Sequence, residues 1–142
     1  MRATLAHSGR EYVDLVAKAP LPAALSSSGV AFDIGTTTVV GYLMDLRTGE
    51  QLAVASLLNP QTRYGDDVVS RIGFSSEQPD GLDILRRDIV RAMGDIIARV
   101  TTKVGATPDD VYGVTVVANT TMHHLFLGVA PEALARAPYV PA

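Results

Sequence analysis

The stretch from Val30 to Asp45 admits few folds. Val30-Ala31-Phe32 on one side and Val39-Val40 on the other enclose the hexapeptide Asp33-Ile34-Gly35-Thr36-Thr37-Thr38. Apolar, β-branched flanks of this kind predict a buried strand, a tight turn and a second strand. The turn puts a carboxylate, Asp33, at the end of the first strand. Gly35 then lets a ligand approach the backbone, and Thr36, Thr37 and Thr38 offer hydroxyls beside their own N–H groups. That chemistry suits a polyphosphate with a divalent cation. The plain alternative is a hairpin whose turn is merely polar, with Asp33 as a turn-capping carboxylate. Three consecutive threonines fit a type I′ turn badly, because that turn needs φ > 0 at its centre.

Composition narrows the classes. The 142 residues are enough for one domain with a real core. At 47% hydrophobic and 19% charged the chain is globular rather than disordered. A net charge of −3 argues against nucleic acid as a partner. With no cysteine, the sequence carries no disulfide, no thiolate nucleophile and no iron–sulfur ligands of its own. Residues 1–11 lack the apolar run of a signal peptide, and no apolar stretch nears the roughly 18 residues that span a bilayer. A cytoplasmic protein without a membrane partner is expected.

Along the chain, residues 1–29 read as a linker or the tail of a preceding region. Residues 11–18 are a short strand or one helical turn, and Pro20, Pro22 and 26–29 are linker-like. The structured domain, 30–142, opens with the strand pair, and a turn at Gly49 leads into a third strand over 51–58. Three strands joined by short turns make an antiparallel meander. In the polar loop that follows, Asp66 or Asp67 is placed to cap a short helix through Val68, Val69 and Ile72. After a loop at 74–79, Asp80 is the expected N-cap of the longest helix. Its apolar stripe runs Leu82, Leu85, Ile89, Ala92, Met93, Ile96, Ile97, Val100 and Val104, and it stops near Gly105. Val111 to Ala118 is a β-branched run expected to be buried on both faces. It opens into Asn119-Thr120-Thr121 and a short helix stopped by Gly128. The fold class is therefore α/β, in the order β-β-β-α-β-α.

This order, with Asp33-Ile34-Gly35-Thr36-Thr37-Thr38 between the first two strands, resembles the first half of the acetate kinase, sugar kinase, heat-shock chaperone and actin superfamily. A narrower likeness rests on NPQTRYGDDVVSRI at 59–72, NTTMHHL at 119–125 and APYVP at 137–141. These resemble the ATPase domain of the reductive activators of corrinoid-dependent enzymes, over roughly residues 30–141. The resemblance implies a ribonuclease-H-like lobe, a meander extended by a parallel strand, with one long and one or two short helices. It implies an ATP site with Mg²⁺, a corrinoid protein as partner, and a [2Fe–2S] cluster carried on a domain absent from this cysteine-free chain. The second lobe of such a domain is also absent, so the chain is expected to be one lobe of a larger ATP-hydrolysing activator and inactive alone. Apolar surface left by that lobe would favour self-association. The alternative is an interaction or dimerisation module that docks a corrinoid protein without turning over nucleotide.

Within that resemblance, Asp33 is the expected catalytic residue, holding Mg²⁺ through water. Gly35, Thr36, Thr37 and Thr38 are the expected phosphate binders. Asn119, Thr120 and Thr121 sit where a strand opens into a helix, a place that commonly lines ligand crevices. Thr120 or Thr121 capping the helix with no ligand is the competing reading. Arg63, Tyr64 and Asp67 belong to a polar loop that is either a solvated connection or a face towards the cleft or the corrinoid protein. His123 and His124 point about 100° apart on a helix, so they do not chelate one metal and read as core or surface histidines.

Overall fold

The computed structural model describes residues 27–139 and 141, together with the backbone of residues 2–7 and 11–16. The strands are β1 (Arg2–His7), β2 (Glu11–Val16), β3 (Ser28–Ile34), β4 (Thr38–Asp45), β5 (Gln51–Leu58) and β6 (Val111–Ala118). They form one sheet in the order β1-β2-β6-β3-β4-β5. Strands β3, β4 and β5 are the expected antiparallel meander, with Phe32 opposite Gly41 and Gly41 opposite Ala55. Strand β6 lies parallel to β3, pairing Val30 with Val114 and Ile34 with Ala118. A meander extended by a parallel strand is the ribonuclease-H-like lobe. Its connections are one long helix, α2 (Gly81–Lys103), and two short ones, α1 (Val68–Glu77) and α3 (Thr120–Leu127).

The stretch 1–29, expected to be a linker or the tail of a preceding region with a short strand or helical turn over 11–18, contains β1, the strand β2 within 11–18, and the start of β3. Val13 to Val16 of β2 pair antiparallel with Val116 to Gly113 on the outer edge of β6, satisfying backbone groups that would otherwise be left open there. Strand β3 begins before Val30 because the Ser28 hydroxyl donates to the Asp110 carbonyl (2.5 Å) and the Leu46 N–H donates to the Ser27 carbonyl (2.6 Å). Pro20, Pro22 and Ser26 lie outside the described residues, as does Val140 of the 137–141 motif.

Helices α2 and α3 cover a single face of the sheet. Alternation sends Val30, Phe32 and Ile34 of β3, with Val39 and Leu43 of β4, against Leu85, Ile89, Met93, Ile96 and Val100 of α2 and against Met122 and Leu125 of α3. All are buried, and each full side-chain burial stabilises by about 1.5–3 kcal/mol. The expectation that β6 is buried on both faces fails. Only its Val116 is buried; Val114 and Ala118 on the helix-covered face and Thr115 and Val117 on the face turned away are all half-buried. On that same face Val54 and Leu58 of β5 are exposed.

Two helix boundaries differ from expectation. The residues 74–79 were expected as a loop, but α1 continues to Glu77. Phe74 stacks on Tyr64 with ring centroids 4.4 Å apart, and the Ser75 and Ser76 hydroxyls donate to the Ile72 carbonyl. Asp80 occupies the N-cap position of α2 in the left-handed conformation (φ 60°), and its side chain makes no capping bond. The α1–α2 corner is too tight for anything else: a Cβ on Gly81 would stand 2.4 Å from the Phe74 carbonyl oxygen.

Helix α2 packs directly over Gly41, where a Cβ would meet Ile96 Cγ2 at 2.4 Å and the Phe32 ring at 3.0 Å. Gly41→Ala should therefore lower stability by about 1–3 kcal/mol through overpacking. Urea denaturation measures this, and an unchanged midpoint would contradict the packing described.

Candidate functional site

The β3–β4 turn is held from beneath by its backbone carbonyls. The Gly35 carbonyl accepts from Asn59 Nδ2 (2.8 Å), the Thr36 carbonyl from Arg71 Nη2 (2.5 Å) and the Thr37 carbonyl from the Asn59 backbone N–H (2.8 Å). The Thr38 carbonyl accepts from the Gly35 N–H (2.9 Å), which closes the turn. Gly35 is required by this closure, since a Cβ there would stand 2.8 Å from the Thr38 oxygen.

Peptide planarity turns these bonds into a direction. In a trans peptide, the carbonyl of one residue and the N–H of the next point to opposite sides. Drawing the Gly35 carbonyl down to Asn59 thus sends the Thr36 N–H away from the protein. Drawing the Thr36 carbonyl down to Arg71 does the same for the Thr37 N–H. Among the described residues no acceptor takes either N–H. Adjacent backbone donors with no acceptor in the fold are the kind of group that can take an anion's oxygens.

The donors beneath are themselves buried. Asn59 and Arg71 are fully buried and Gln61 nearly so. Asn59 N-caps the 3-10 turn Pro60–Tyr64 by accepting from the Gln61 N–H (2.9 Å). Arg71 Nε donates to the Gly65 carbonyl (2.9 Å), and its Nη1 reaches Gln61 Oε1 (3.4 Å) and Met122 Sδ (3.3 Å). Gln61 Nε2 in turn donates to the Leu85 carbonyl (3.0 Å). Burial pushes the Arg71 guanidinium below its ordinary value, opposed by the charges of Asp66 and Asp67. An arginine nevertheless stays protonated.

None of these three residues was singled out from sequence. A signal was present: Arg71 follows Val68 by three positions and precedes Ile72, so it falls on the apolar stripe of α1, where a charge needs buried partners. Pro60 directly after Asn59 marks the cap.

Sequence reading and structure meet at the crest of the sheet. Because β3 and β6 are parallel and end in register at Ile34 and Ala118, the threonine turn and the start of α3 emerge side by side. Asn119 Nδ2 reaches Thr36 Oγ1 at 3.3 Å. Asn119 is also the N-cap of α3, accepting from the Met122 N–H (3.0 Å), in place of Thr120 or Thr121. Thr120 is exposed and Thr121 buried. Asp33 is exposed on the face turned away from the helices, flanked by Val40 of β4 and Val117 of β6. Thr37 and Thr38 are exposed and Thr36 is half-buried.

The remaining candidates make their contacts elsewhere. Arg63 is ion-paired with Asp88 of α2 and lies over the Tyr64 ring at 4.8 Å, and the Tyr64 hydroxyl donates to the same carboxylate (2.9 Å). Burial first, and then that hydrogen bond, raise the Tyr64 phenol above its ordinary value. Asp67 is the N-cap of α1 and accepts from the Ser70 hydroxyl (2.6 Å) and N–H (2.8 Å), which hold its carboxyl below its ordinary value. His123 and His124 are both buried in α3.

Fold and crest together define a ribonuclease-H-like lobe whose first turn is fixed from below. The RACo middle region family model matches residues 28–142, and the chain belongs to this family. The chain is 42% identical over 112 residues to the corrinoid activation enzyme RamQ of Eubacterium limosum, a match covering 79% of this chain and 19% of that protein. It is also similar to the solved structure of a reductive activator for corrinoid, iron-sulfur protein. That likeness has a TM-score of 0.78 at 38% identity, over 85% of this chain and 19% of that one. The chain thus spans about a fifth of the length of these relatives.

Two outcomes follow from the bonds described. Asn59→Ala leaves the Gly35 carbonyl and the Gln61 N–H without their partner in a buried setting, and should cost about 2–4 kcal/mol in denaturant unfolding. A loss within experimental error would mean that the turn is not held as described. For Asp67, a depressed native pKa means a stabilisation present above the ordinary carboxylate range and lost as pH falls through the native pKa. Asp67→Ala should therefore lower Tm at neutral pH, with the gap closing in strong acid. A gap that persists there would contradict the cap.

Proposed function

We propose that this chain contributes the first phosphate turn of an ATP-dependent reductive activator of corrinoid proteins. The observation that carries the reading is the grip of the buried donors Asn59 and Arg71 on the Gly35 and Thr36 carbonyls, which by peptide planarity turns the Thr36 and Thr37 N–H groups the other way. Membership of the RACo middle region family and the printed activities of its relatives point to the corrinoid protein as partner.

The residues present fit a Mg²⁺–polyphosphate. The Thr36 and Thr37 N–H groups take phosphate oxygens, and the exposed hydroxyls of Thr37 and Thr38 add hydrogen bonds. Asp33 holds the cation through water. Among the described residues no group of three or more acidic or histidine side chains is placed to bind a metal, so water and phosphate supply the other ligands. Magnesium supplies charge neutralisation when bound, and the protein's part is to position the phosphates. Adenosine contacts, a second phosphate loop and the [2Fe–2S] cluster belong to further domains of the activator. The setting is the cytoplasm, and the crest holding Asn119 and Thr120 lines the cleft. Arg63 is exposed over 60% of its side chain and, with Tyr64, is offered to the corrinoid protein.

A second reading, a docking or dimerisation module without nucleotide turnover, is favoured by Val54 and Leu58 on the sheet face turned away from the helices, exposed to 38% and 68%.

Calorimetric titration separates the two. Mg-ATP should bind the wild-type chain weakly and Asp33→Ala about tenfold more weakly still, as loss of a charge-assisted contact dictates. The difference should vanish without Mg²⁺. Absence of binding in both proteins would leave the docking reading alone.

A further inference from the structure

We propose that Arg71 is a positioning residue for the phosphate turn: its buried guanidinium sets the direction of the Thr37 N–H by holding the Thr36 carbonyl, and so acts on bound phosphate without touching it. This rests on the reading of the crest as a phosphate site. Arg71 links the network because its three donor nitrogens reach four residues at once. Nη2 holds the turn, Nε the Gly65 carbonyl at the entry to α1, and Nη1 the Gln61 amide and the Met122 sulfur of α3. Thr36 is gripped twice, at its carbonyl by Arg71 and at its hydroxyl by Asn119.

A guanidinium presents several donors in a fixed planar fork, and an ammonium does not. Lysine at position 71 keeps the charge but cannot serve the turn, Gly65 and Gln61 together. If Arg71 served only to fill space and stabilise, any core substitution of equal cost would have the same consequences. If it positions the turn, the Thr36–Thr37 peptide is released and its N–H no longer faces the ligand.

The test compares Arg71→Met, Arg71→Lys and Val100→Ala. Val100 is fully buried near the far end of α2, about 22 Å along the helix from Leu85. Two quantities are read at matched distance below each protein's Tm: hydrogen exchange without ligand at the Gly35 and Asn59 amides, which donate to the Thr38 and Thr37 carbonyls and so report closure of the turn, and the Kd for Mg-ATP. In Arg71→Met, Mg-ATP binding should weaken and turn exchange should quicken, each about tenfold or more, since small misplacements of a binding group are costly. Arg71→Lys should fall between Arg71→Met and wild type. Val100→Ala should leave both quantities within about twofold of wild type, as expected for an independent distant site. Equal changes in Val100→Ala and the Arg71 variants, or none in the latter, would overturn the proposal. Should Arg71→Met fail to fold, Arg71→Lys against Val100→Ala decides the matter. If wild type takes up no nucleotide, the phosphate reading falls, while the exchange comparison still decides whether Arg71 holds the turn.

Discussion

A buried arginine beneath a surface turn is the constraint on which the rest of this structure depends. Removing a guanidinium from water is costly, and the cost is tolerable where converging oxygens replace the lost solvation. Here those oxygens are the Thr36 and Gly65 carbonyls and the Gln61 amide. Asn59, neutral and equally buried, takes the Gly35 and Thr37 carbonyls on either side. Turn, α1 and α3 therefore cannot move independently. Gln61 extends the linkage to α2 by donating to the Leu85 carbonyl. The crest is exposed, but its position is referred to the centre of the fold.

The sheet explains why the network lies where it does. Parallel pairing of β3 with β6 brings the turn and the Asn119 cap to one edge. The meander delivers Asn59 to the same edge, because β5 ends at Leu58 opposite Thr38. Helices α2 and α3 fill one face of the sheet, and Asp33 alternates onto the other. In the reading proposed above, the carboxylate on one side of the turn serves the cation and the two N–H groups at its tip serve the phosphate.

Much of this was legible in the residues. Strong β-branched flanks marked β3 and β4, and the three-and-four spacing from Leu85 to Val100 marked the buried stripe of α2. The polar turn and the strand exit at Asn119 were both visible as candidates, though not that a hydrogen bond joins them. Less legible were features set by contacts distant in sequence. Arg71 lies on the apolar stripe of α1, but nothing local names its partners, one of them 35 residues away at Thr36. Asp80 has the chemistry of an N-cap, but the close approach of Gly81 to α1 puts it in a conformation where its side chain caps nothing. The run of valines in β6 suggested burial on both faces, yet the helices cover only one. Periodicity reports hydrophobic demand, and topology decides which demands are met.

The most direct test of the account is an NMR titration of the wild-type chain with Mg-ATP, following every backbone amide. If carbonyls drawn inward leave the turn's N–H groups facing a phosphate, the largest shifts fall at Thr36 and Thr37, with smaller ones at Gly35 and Asn119. Shifts centred anywhere else, with the Thr36 and Thr37 amides unmoved, would contradict it.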